Sequence, residues 1–277
     1  MKKNLIIAVA IASLFSGAQA AELTGTLKKI KDSGTITLAH RDSSIPFSYL
    51  SGDATPIGFS MDIANAIVDE VKKELKLPNI KVNYTLVTSQ TRIPLIQNGT
   101  ADLECGSTTN NLERQKQVAF TNGFFKVATR LLAKKNSGIK DFADLAGKNV
   151  VTTAGTTSER LLKKLNEDKQ LGMKIISAKD HGESFLMLES NRAVAFMMDD
   201  VLLAGEMAKA KNPADWTIVG TPQSYEIYGC MVRKDDPAFK AVADRALANF
   251  YKSGRVNTSY NKWFQQPIPP KGLNMSF

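Results

Sequence analysis

The sequence predicts an α/β protein of two similar lobes, and three observations carry that reading. Short apolar strands alternate with amphipathic helices along the chain, the pattern of sheets covered by helices. Residues 95–102 and 187–194 share one plan of helix, turn and strand. Of the 277 residues, those beyond the first 20 are enough for one large domain or two of ordinary size. The internal match is short, so alternation within one sheet stays open on this evidence alone.

Residues 1–20 read as a secretory signal peptide. Lys2 and Lys3 form its basic start, 5–15 its apolar centre, and Ala18-Gln19-Ala20 its small-residue cleavage site, so the exported chain is expected to begin at Ala21. The apolar run is about half of the ~20 residues that span a bilayer. No cysteine stands at the cleavage point, where a lipid anchor would need one; the first is Cys105. A soluble exported protein is expected.

A strand is predicted at 35–39. Ser60 is positioned to cap a helix in which Ile63, Ile67, Val71 and Leu75 recur every four residues, and Leu77-Pro78 stops it. A strand at 82–87, a helix at 92–97 ending in Asn98-Gly99, and a strand at 101–105 complete the first series. Asn110 with Glu113 is expected to start a further helix.

The second series begins after Phe124-Phe125. It contains strands at 130–133 and 149–152, then a helix opened by Thr156 with Glu159 in a capping box. Asp180 with Glu183 caps another helix ahead of a strand at 193–197, and Asp199 or Asp200 caps the next. In the tail, Phe239, Val242, Leu247 and Phe250 mark an amphipathic helix. Gly254, a short helix with Tyr260, Trp263 and Phe264, and a proline-rich end follow. These aromatics read as packing groups.

The formal charge is +9, but Lys and Arg are interleaved with Asp and Glu and no basic tract forms. This excludes the footprint of a nucleic-acid binder while favouring anionic ligands. Metalloprotease, phosphate-loop and nucleophile-elbow motifs are missing, as are cysteines at zinc spacing. With two histidines, a His-rich metal site is not expected, nor is any cofactor. Two cysteines in an oxidising compartment predict one disulfide, Cys105 to Cys230.

Polar loops at strand ends are where open α/β sheets bind ligands. The loop 105–110 contains Ser107 and Thr109, and the loop 153–158 contains Thr157. Either could simply cap a helix; their pairing points to a site. Arg92 opens a helix just after Ser89, an unfavourable place for a cation that a bound carboxylate would offset. Arg41 follows a strand, and His181 begins a helix; pairing of Arg41 with Asp42, a solvated Arg92 and simple capping by His181 stay open on this evidence. Of Asp199 and Asp200, one suffices as a cap, which frees the other for an ammonium group.

Four segments resemble the family 3 solute-binding proteins that serve ABC importers: 58–63 (Gly-Phe-Ser-Met-Asp-Ile), 92–99 with Ala101-Asp102, Gly155-Thr156-Thr157, and Tyr260 with Trp263-Phe264. Segments 104–111 with 113–116, 177–182 and 195–200 resemble the glutamate/aspartate-binding members of Gram-negative bacteria. The resemblance implies the type II periplasmic binding protein fold, with two mixed α/β lobes joined by two crossover strands. Lobe one would comprise 21–127 and 226–277, and lobe two 128–225.

It further implies that Arg92 holds the ligand α-carboxylate with Ser107, Thr109 and Thr157, and that Asp199 holds the α-ammonium. Arg41 and His181, as a cationic pair with Ser89, would meet the side-chain carboxylate. Arg114 would either touch ligand or brace its loop. The implied partners are L-glutamate or L-aspartate and an inner-membrane ABC permease, with the protein a periplasmic monomer and no enzyme. An enzyme resembling cyclohexadienyl dehydratase on the same fold is the alternative.

Overall fold

The computed structural model describes residues 23–265. The signal-peptide expectation and the proline-rich end lie outside the described residues. The elements run α1 (Gly25–Ser33), β1 (Thr35–His40), β2 (Ser43–Ser44), β3 (Ser48–Tyr49), α2 (Phe59–Leu75), β4 (Lys81–Leu86), α3 (Arg92–Gln97), β5 (Leu103–Glu104), α4 (Leu112–Gln115) and β6 (Val118–Phe120). They continue with β7 (Phe125–Lys134), β8 (Asn149–Thr153), α5 (Thr157–Asp168), β9 (Lys174–Ala178), α6 (His181–Glu189), β10 (Ala195–Asp199) and α7 (Asp200–Lys209). The last are β11 (Trp216–Val219), β12 (Tyr225–Tyr228), β13 (Met231–Arg233), α8 (Pro237–Lys252) and α9 (Arg255–Tyr260).

Two mixed sheets result, in the type II periplasmic binding protein architecture. One has the order β4-β1-β5-β13-β6, and the other β11-β7-β10-β8-β9. The chain passes from the first sheet to the second along β7 and returns along β12. These two strands pair antiparallel, Tyr225 opposite Ala128 and Tyr228 opposite Phe125. The disulfide Cys105–Cys230 joins the end of β5 to the residue before β13, 125 positions on in sequence.

Helix α2 shows how sequence builds this frame. Ile63, Ile67 and Val71 are fully buried and face the first sheet with α8 alongside. Each such side chain contributes roughly 1.5–3 kcal/mol by leaving water. The N-cap is Gly58 at φ +130°, where a Cβ would stand 2.3 Å from the Phe47 carbonyl oxygen. Ser60, expected to cap, instead donates to the Gly106 carbonyl and ties the helix to the β5 loop.

Other boundaries shift for similar non-local reasons. The strand expected at 130–133 is the ten-residue β7, lengthened by its pairing with β12. The strand expected at 193–197 runs two residues later, because Met198 and Asp199 pair with Arg130 and Thr129. Asn111, not Asn110, caps α4 by accepting from the Arg114 amide. At α5, Thr156 caps as expected, but Glu159 accepts from the Gly155 amide in place of closing the box.

An aromatic cluster seals the rear of the crossovers. Phe47 lies 4.9 Å from Phe125 and 5.1 Å from Tyr228, and Phe264 stacks on Phe125 at 5.0 Å between ring centres. The tail aromatics are therefore packing groups, as their spacing suggested.

Candidate functional site

Strand ends from both sheets converge between the lobes. From the first come Arg41 after β1, Ser89 and Arg92 after β4, and 105–109 after β5; α4 adds Arg114. From the second come 154–157 after β8, 179–181 after β9, and Asp199 ending β10. Arg41, Ser89, Arg92, Ser107, Thr109, Arg114, His181 and Asp199 are all buried, and Thr157 is half-buried.

The lobes touch through polar contacts. Arg41 Nη2 lies 3.5 Å from His181 Nε2, and the Gly182 amide donates to Ser43 Oγ at 3.0 Å. Arg114 donates to the Thr109 carbonyl of its own lobe at 3.0 Å and to the Gly155 carbonyl opposite at 3.4 Å. Close approach explains Gly155. Its φ is +77°, and a Cβ there would stand 2.8 Å from the Gln90 backbone nitrogen.

Three buried guanidiniums, Arg41, Arg92 and Arg114, have no carboxylate within ion-pair distance among the described residues. Arg92 donates through Nη1 to the Ser107 carbonyl at 3.0 Å and to Thr108 Oγ1, which passes a hydrogen bond to Glu104 at 2.7 Å. Burial, then the charge of Arg92, lower the pKa of Arg41 to about 9; burial and the same neighbour do so for Arg114. Arg41 Nη1, Arg92 Nε and Ser89 Oγ are buried without a hydrogen-bond partner among the described residues. Such donors are costly to leave unpaired, so the arrangement suits a small anion.

His181 hydrogen-bonds through Nδ1 to Thr153 Oγ1 at 2.9 Å. Burial and the charges of Arg41 and Arg92 push its pKa well below the usual imidazole range, so the ring is neutral at pH 7. Arg41 and His181 do meet across the lobes as expected, and a carboxylate placed beside them would favour the charged imidazole.

At the other end Asp199 accepts from Tyr228 Oη, from Thr129 at 3.3 Å and from Ser158 at 3.5 Å. Burial, then the neighbouring Glu226, raise its pKa to about 7. A cation placed there would restore the ionised form. Asp200 takes the structural role, accepting from the Val201 amide at 2.8 Å and the Ala128 amide at 3.2 Å.

Sequence reasoning missed Glu226 and Tyr228. They face the cleft from β12, while Tyr225 and Ile227 are 68% and 51% exposed. The alternation is inverted, apolar outward, so the usual reading of a half-buried strand turns the wrong face inward.

Residues 36–266 match the model of the bacterial extracellular solute-binding proteins, family 3. The chain belongs to this family. One similar member is the L-glutamate/L-aspartate-binding protein of Pseudomonas aeruginosa, 69% identical over 276 residues, 99% of this chain and 91% of that one. The glutamate/aspartate import solute-binding protein of Escherichia coli is 58% identical over 98% of this chain and 91% of its own. Similar solved structures include the P235GK mutant of ArgBP from T. maritima, with TM-score 0.77 and 26% identity over 87% of this chain and 99% of that one. The ancestral amino-acid-binding protein AncCDT-1, a precursor of cyclohexadienyl dehydratase, aligns at TM-score 0.72 and 29% identity, covering 86% and 99%.

Proposed function

We propose that this protein captures L-glutamate or L-aspartate between its lobes and presents it to an inner-membrane ABC permease. It acts as an exported periplasmic monomer, with lobes 21–127 plus 226–277 and 128–225. The observation that carries the reading is the set of three buried, carboxylate-free guanidiniums facing a buried aspartate. A dicarboxylic amino acid supplies two anions and one cation to match. The similar proteins of P. aeruginosa and E. coli bear names for that ligand pair, whereas the dehydratase likeness is to a distant ancestral protein.

The geometry favours a division of roles different from the one the resemblance implied. An α-carboxylate and α-ammonium share one carbon, so their partners must adjoin. Glu226 and Asp199 lead the opposite charges around Arg114, whereas Glu104 leads them around Arg92; Arg114 also touches the Thr109 carbonyl, so it is assigned the α-carboxylate with Thr109 and Thr157. His181 feels Arg41 and Arg92. These three, with Ser89 and the Ser107 loop that Arg92 grips, are assigned the side-chain carboxylate. Ligand contacts on both lobes favour the closed arrangement, which the permease would recognise.

Calorimetry on Arg92→Ala and Arg114→Ala tests the division. Arg114→Ala should weaken L-glutamate and L-glutamine alike, and Arg92→Ala should weaken L-glutamate far more than L-glutamine. In the unaltered protein, L-glutamine should bind on the order of 100-fold more weakly than L-glutamate, because an amide leaves the guanidiniums unneutralised. Equal binding of the two would refute the acidic-ligand reading.

A further inference from the structure

We propose that Glu226 is a built-in competitor for the α-carboxylate seat, an internal carboxylate that the amino acid must displace before Thr109 and Thr157 can hold it. This rests on the binding reading above and adds a residue which that reading leaves unused.

Glu226 lies on β12, one of the two strands by which the chain changes sheets. Its Oε2 accepts from Thr109 Oγ1, on the loop after β5, and from Thr157 Oγ1 at 2.8 Å, at the start of α5. The two hydroxyls come from different lobes, and both belong to the set assigned to the ligand. Its other oxygen accepts from Ser224 Oγ at 3.2 Å. Of the carboxylates around Arg114, Glu226 exerts the largest attraction on the guanidinium. The side chain thus already has the surroundings an α-carboxylate requires: a hydroxyl from each lobe and a buried guanidinium.

Exclusivity follows from counting protons. A threonine hydroxyl has a single hydrogen to donate. While Thr109 and Thr157 donate to Glu226, neither can donate to a ligand, and two carboxylates brought to the same two hydroxyls would repel. Affinity is then reduced by the fraction of time that Glu226 holds the seat. The same side chain, bonded to both lobes, also draws them together, so it trades affinity for a pre-formed closure.

The test is calorimetric titration of the exported protein, unaltered and as Glu226→Gln, with L-glutamate and with L-aspartate. Loss of the competing charge should tighten binding of both ligands by a similar factor, about three- to tenfold, since the α-carboxylate is common to them. Glu226→Asp keeps the charge but is one methylene too short to reach both hydroxyls. It should show the same gain, and it carries the test if Glu226→Gln does not fold. If Glu226 instead helps bind the ammonium, Glu226→Gln loses affinity, and the competitor is overturned. Unchanged affinity, or a gain for one ligand alone, overturns it as well. Failure of the unaltered protein to bind either ligand would be a failure of the underlying reading, visible before any variant is made.

Discussion

Replacing Asp199 by Asn should move stability and binding in opposite directions. Asp199 is 4% exposed, and its pKa stands at about 7 through burial and the charge of Glu226. In the unfolded chain an aspartate titrates near ~3.9. The folded state holds its proton more tightly, so this group's contribution to stability falls as pH rises from about 4 to about 7 and is level above that. At pH 8 the ionised, buried carboxylate costs the folded protein about 2–4 kcal/mol. Asn can still accept from Tyr228 and carries no charge. Ligand-free Asp199→Asn should therefore be more stable than the unaltered protein at pH 8, with the gain disappearing towards pH 4. Binding should suffer: losing one partner of a buried charge pair costs 2–5 kcal/mol, a fall in L-glutamate affinity of at least about 30-fold. Urea unfolding between pH 4 and pH 8 measures the first effect and calorimetry the second. Affinity within threefold of the unaltered protein, or a variant less stable at pH 8, would refute the reasoning.

Two further outcomes follow from the frame around the site. Gly155→Ala would bring a Cβ to within 2.8 Å of the Gln90 backbone at φ +77°, holding the lobes apart. It should cost about tenfold or more in L-glutamate affinity and about 1 kcal/mol or so of stability, and small-angle scattering with saturating ligand should report a less compact protein. Removing the disulfide by Cys105→Ser with Cys230→Ser should lower the unfolding free energy by about 2–5 kcal/mol in urea titration, and a loss below about 1 kcal/mol would contradict this.

Local chemistry made much of this protein legible. The four-residue spacing of Ile63, Ile67 and Val71 marked α2, and Asn98-Gly99 marked the end of α3 where the structure ends it. Asp180 caps α6 through the Glu183 amide, as its spacing suggested. At α7 the N-cap is Asp199 with no side-chain cap bond, while Asp200 accepts from the Val201 and Ala128 amides, a pairing across segments that local spacing does not show. What escaped depends on pairing between distant segments. β7 is ten residues long because β12 lies against it, and α1 shows a sequence reader little beyond Leu27 and Ile30. Glu226 and Tyr228 were hidden because the protein turns the polar side of a crossover strand inward. The guanidiniums of Arg41 and Arg92 that lower the pKa of His181 are likewise invisible from its own neighbours in sequence.

The bond between Cys105 and Cys230 has a mechanical side. Cys105 stands two residues before Ser107, and Cys230 two residues after Tyr228, so the crosslink fastens the polar loop after β5 to the foot of the crossover strand β12. The loop cannot shift along the strand without carrying that end of β12 with it.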